Sequence, residues 1–103
     1  MTDEISQLHH LRLKIAADAK ALAERELSGR LLRLDLEARL RAGNVGISAS
    51  QAEKLARAHP EYLAHEQETI QRTYDKAVAE AQAESLVWRL RFETAATDRV
   101  GAA

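Results

Sequence analysis

Apolar residues in this chain return every three or four positions, the spacing that gathers them on one face of an α-helix. From the N-terminus the row is Ile5, Leu8, Leu11, Ile15, Ala19 and Leu22, and it resumes at Leu27, Leu31, Leu34 and Ala38. Gly29 interrupts it, but a single helical glycine costs only about 1 kcal/mol against alanine and need not end a helix. The segment Gly43-Asn44-Val45-Gly46 supplies a C-terminal stop. Ser48 then reads as an N-cap, with Gln51 completing a capping box and Ile47 and Ala52 placed as a hydrophobic staple. Pro60 lacks the amide proton that a helix interior needs, so a break or sharp kink is expected there, with Glu61 at the positive end of the next helix dipole. From Leu63 the row Ile70, Tyr74, Ala77, Ala81, Trp88, Phe92 and Ala95 carries that helix to about Thr97, leaving Val100 to Ala103 as a frayed tail. The pattern predicts an all-α fold: a long antiparallel helical hairpin with helices over about 4–42, 49–59 and 60–97.

Both long helices are apolar on two faces. Successive helical residues turn by about 100°, so Leu27, Leu31, Leu34 and Ala38 share one side while Leu32, Leu36 and Leu40 fall on the opposite one. In the last helix Tyr74, Ala81, Trp88 and Phe92 oppose Ala83, Leu86, Val87 and Leu90. A helix in a simple hairpin buries one stripe and leaves the other for a further contact. The expectation is therefore an oligomeric bundle or ring, with Leu32, Leu36, Leu40, Leu86, Val87, Trp88, Leu90 and Phe92 at the interface between copies. With the turn at 43–47, facing residues place Ile15 near Asp75 and leave Trp88 and Phe92 beyond the start of the first helix. The competing expectation is a four-helix monomer, folded back at Gly29 and Pro60, that uses both stripes internally.

Composition narrows the function class. The 103 residues are 46% hydrophobic and 30% charged, with only four aromatic side chains and no cysteine. That is the profile of long helices in one domain, and it excludes disulfides, thiolate metal sites and a cysteine nucleophile. No apolar run reaches the roughly 20 residues needed to span a bilayer, and the acidic start Met1-Thr2-Asp3-Glu4 is unlike a signal peptide, so a cytoplasmic protein is expected. The formal charge of -1 hides a polarity. Arg30, Arg33, Arg39, Arg41, Lys54 and Arg57 against Asp35, Glu37 and Glu53 make residues 30–57 net +3, whereas residues 61–84 are net -4. These charges read either as solvated helix faces or as a basic rim displayed by a ring of copies.

No constellation points to catalysis. His9 and His10 are adjacent, and His59 and His65 straddle Pro60, so neither pair has metal-ligand spacing. Glu61 with His65 suits an exposed hydrogen-bonding pair, Ser48 and Ser50 suit a helix start, and Gly43–Gly46 is too short to cradle phosphate and lacks a following lysine. No enzyme activity, cofactor or metal is expected. Arg39 stands out because it lies beside the second leucine stripe, where it can frame an apolar interface or be displayed repeatedly around a ring.

The stretch Leu36-Glu37-Ala38-Arg39-Leu40-Arg41-Ala42-Gly43, followed by Ile47-Ser48 and Lys54, resembles the T4-type phage recombination mediators (UvsY-like). That family carries Leu-Lys-Ala-Arg-Leu-Asp-Tyr near the end of a helix, then a glycine-containing loop and Phe-Ser at the next helix. Leu36, Ala38, Arg39 and Leu40 match, while Glu37 replaces the family's lysine and Arg41 its aspartate. The resemblance covers a short segment around residues 36–54. It implies a homo-oligomeric ring that binds single-stranded DNA and helps a recombinase displace single-strand-binding protein. Carried onto this chain, Arg39 would contact the DNA backbone, with Arg33, Arg41, Lys54 and Arg57 as helpers. The alternative is a phage or bacterial helical adaptor that binds another protein and no DNA.

Overall fold

In the computed structural model the backbone is described for residues 2–102 and side chains for residues 3–95, and the described chain is helical almost throughout. Helix α1 spans Thr2–Gly43, α2 Ala49–Arg57 and α3 Pro60–Ala102. Helix α3 continues through Val100 and Gly101 to Ala102, beyond the expected end near Thr97, and Ala103 lies outside the described residues.

Local chemistry sets the boundaries. No described glycine has positive φ, so α1 does not end on a left-handed glycine cap. Asn44 takes that part instead: its amide donates to the Leu40 carbonyl at 3.1 Å, its side-chain oxygen accepts from the Gly46 amide at 3.2 Å, and its carbonyl accepts from Ile47 at 3.1 Å. The capping box forms as expected, the Gln51 amide donating to Ser48 Oγ at 3.1 Å and the Ser48 amide to Gln51 Oε1 at 3.2 Å. Helix α2 stops at Arg57, two residues short of expectation, and Pro60 opens a new helix. His59 caps α3, its Nδ1 accepting from the Glu61 amide at 3.1 Å.

The chain divides into two compact units, one of Lys20–Thr73 and one of Met1–Ala19 with Tyr74–Ala103. In the first, α1 and α3 pair antiparallel, because Arg25 meets Glu68 while the later Arg39 meets the earlier Glu61. Its core is Leu36, at 1% exposure, with Ala52 and Ala56 of α2 fully buried. Leu22, Leu32 and Leu40 are half-buried. In the second unit Arg89 reaches Glu4 at 3.5 Å, and Ala79, Ala83 and Leu86 are buried, with Leu8, Leu11, Ile15 and Leu90 half-buried.

Inward residues of α1 follow the alternating three-and-four spacing of a coiled-coil seam, but the seam is partly polar. Arg25, with its side chain 16% exposed, clamps the first unit: Nε donates to Thr69 Oγ1 at 3.0 Å, Nη2 donates to the His65 carbonyl at 2.8 Å, and Nη1 lies 3.4 Å from Glu68. Gly29 is there for space. A Cβ on it would sit 2.9 Å from the His65 ring, whose Nε2 shares a 3.1 Å hydrogen bond with Ser28 Oγ.

Candidate association and nucleic-acid surfaces

Burial sorts the expected interface residues into two groups. Leu36 and Leu86 are buried, and Leu32, Leu40, Val87 and Leu90 half-buried, in the packing of the chain itself. Leu36 therefore has next to no surface to give another copy, and Leu86 little. The reason is phase: the α1 seam adopts the Leu32/Leu36/Leu40 stripe, which turns Leu27, Leu31 and Leu34 to the far side, where each is about half exposed.

Trp88 and Phe92 keep the exposure expected of them, at 62% and 76%. The Glu4–Arg89 pair nevertheless shows that Trp88 lies beside the first turns of α1 and not beyond them. It is uncovered because it points away from the seam, with Arg91 5.7 Å above its ring. Tyr74 is likewise exposed in that unit, and Ile70 (68%) and Leu63 are exposed in the other. Each unit thus presents apolar residues on the outer side of its stretches of α1 and α3: Leu27, Leu31 and Leu34 with Leu63 and Ile70 in one, Ile5 and Leu13 with Tyr74, Trp88 and Phe92 in the other.

Three of the five expected nucleic-acid contacts are engaged by carboxylates. Arg39 bridges Asp35 at 3.0 Å and Glu61 at 3.3 Å, and the Glu61 hydrogen bond is the first cause holding its guanidinium pKa above the ordinary value. Arg57 pairs with Glu53 at 2.9 Å. Arg33 lies 3.7 Å from Glu37 and its buried Nε has no hydrogen-bond partner. Arg41 and Lys54 are exposed and form no ion pair with described residues. Lys54 lines a shallow depression of about 370 Å³ with Asn44, Ile47, Gln51 and Leu55.

The second unit holds an open groove of about 580 Å³, with Leu11 and Leu86 in its floor and His10, Lys14 and Arg89 on its rim. Of these residues the sequence singled out only Leu86, as an interface residue, because a groove between two helices follows from pairing and leaves no local motif. No described helix is long and apolar enough to cross a membrane. Compared with known protein families, curated proteins and solved structures, the chain matches none.

Proposed function

We propose that this chain is a non-catalytic association protein that assembles with copies of itself. The observation that carries this is outward-facing hydrophobicity on both long helices: among the described residues, eleven large apolar side chains of α1 and α3 remain exposed, while the seam between the helices holds Arg25, His65 and Thr69. Isolated exposed leucines are ordinary, but rows of them at helical spacing are interface material. Sedimentation velocity over nanomolar to tens of micromolar protein tests it. A mass several times the 11.5 kDa of the chain is expected at the upper end, and a monomer throughout overturns the reading.

A second reading, that the assembly binds single-stranded DNA as a recombination mediator does, is favoured by Arg41 and Lys54, two unpaired cations close to the α1–α2 turn within the segment of resemblance. Arg33, Arg39 and Arg57 would first have to give up carboxylate partners. The test is fluorescence anisotropy of labelled oligo-dT across a salt series. Removing two phosphate contacts lowers the log–log salt slope by about 1.4 per protomer engaged. Arg41→Ala/Lys54→Ala is expected to weaken binding and flatten that slope; equal affinity and slope remove both residues from the site.

A further inference from the structure

The outward stripes say how copies meet. Resting on the self-association proposed above, we infer that the contact is heterologous: the outer face of α1 in one copy packs antiparallel against the outer face of α3 in the next, the partner being a second copy of this chain.

Within the Lys20–Thr73 unit, the stripe of α1 and the stripe of α3 each lie on the far side of their helix from the seam. They therefore face in opposite directions. Copies placed side by side in the same orientation bring α1 of one against α3 of its neighbour, and those helices run antiparallel because α1 and α3 do so within a copy.

Register supports this pairing. Setting Leu27 opposite Ile70 also sets Leu34 opposite Leu63, since the residue numbers of the two pairs add to the same constant, and all four are exposed. The other unit, taken alone, gives the same constant: Ile5 falls opposite Phe92, His9 opposite Trp88 and Ala16 opposite Ala81, all exposed.

Charge supports it independently. In an antiparallel helix pair the same flank of each stripe meets its counterpart, as e and g positions do beside a coiled-coil seam. At about 100° per residue, Arg12 and Arg30 lie on the flank of the α1 stripe that corresponds to the flank of the α3 stripe holding Glu66 and Glu84. Arg30 falls level with Glu66 and Arg12 with Glu84, within one residue of the apolar register. Within a copy these groups are little engaged: Arg30 has only an exposed contact with Glu26 at 3.9 Å, and Arg12, Glu66 and Glu84 form no ion pair with described residues. An α1–α1 contact would instead bring the basic flank against itself. A heterologous contact leaves one unsatisfied face at each end, so it repeats until a ring closes or a filament grows.

The experiment uses two edge-blocked full-length variants, Ile5→Asp/Leu27→Asp/Leu34→Asp on α1 and Leu63→Asp/Ile70→Asp/Phe92→Asp on α3, with circular dichroism confirming helicity. Each alone is expected to sediment as a monomer, and the equimolar mixture as a heterodimer and nothing larger. A dimer of either variant alone, or a mixture that stays monomeric, overturns the pairing. A monomeric wild type overturns the self-association reading itself. Should an edge variant lose helicity, the charge swap leaves the stripes intact and decides the matter. Arg30→Glu is expected to weaken assembly about threefold at low salt, and Arg30→Glu/Glu66→Arg to restore it; no restoration overturns the pairing.

Discussion

Gly29 is a position where helix propensity and packing pull in opposite directions. Alanine in its place would gain about 1 kcal/mol of intrinsic helix stability. Its Cβ, however, would come within 2.9 Å of the His65 ring, which must then leave Ser28. Gly29→Ala is expected to destabilise the chain, whereas the same change in a His65→Ala background should stabilise it by about 1 kcal/mol. Urea denaturation of the four proteins of that cycle measures the reversal. Glu68 offers a pH test at the same scale. Its hydrogen bond from Arg72, and then the charge of Arg25, hold its carboxyl pKa below the ordinary value. A carboxyl depressed in the folded state stabilises above its unfolded pKa and loses that contribution as pH falls through the folded value. Acidification through the carboxylate range should therefore lower the urea midpoint of the wild type more than that of Glu68→Gln. The effect will be small, because Glu68 is solvated and its ion pairs are screened.

At the scale of elements, the boundaries were legible in the sequence because they are local chemistry. Ser48 with Gln51 and Pro60 act on their immediate neighbours, and α2 and α3 start where those residues direct. The α1 stop was legible in place, and Asn44 supplies the hydrogen bonds that make it. Facing was not legible. Two leucine stripes compete in α1, and a reading by hydrophobicity alone assigns Arg25 to the surface, whereas Arg25 lies in the seam because its three donors find Thr69, the His65 carbonyl and Glu68. Gly29 joins the seam for the His65 ring, and those two choices fix the phase that buries Leu36. The phase has a measurable signature. Leu36→Ala should cost about 2–4 kcal/mol of unfolding free energy, while Leu31→Ala, at protein concentrations too low for assembly, should change it by no more than about 0.5 kcal/mol. Equal costs would mean that the stripes are assigned the wrong way round.

At the scale of the whole molecule, stability and association should be one linked property. A chain of 103 residues that leaves Ile70, Trp88 and Phe92 exposed has forgone burial that a neighbouring copy can supply. Any species that binds the folded chain and not the unfolded one raises its apparent stability by mass action, so the melting temperature should rise with protein concentration. Trp88, the only tryptophan, gives a spectroscopic view of the same event. Its indole is mostly solvated, and in the proposed contact it meets His9 of the adjoining copy. Dilution from tens of micromolar to nanomolar should therefore shift its emission to longer wavelength, along the same concentration curve as the sedimentation mass. Phe92→Ala should move that curve to higher concentration without altering the emission of the dilute protein, because Phe92 is exposed within its own chain. An emission maximum that stays constant while the mass changes would place Trp88 outside the interface and confine the contact to the Lys20–Thr73 unit, where Leu27 with Ile70 and Leu34 with Leu63 would have to carry it.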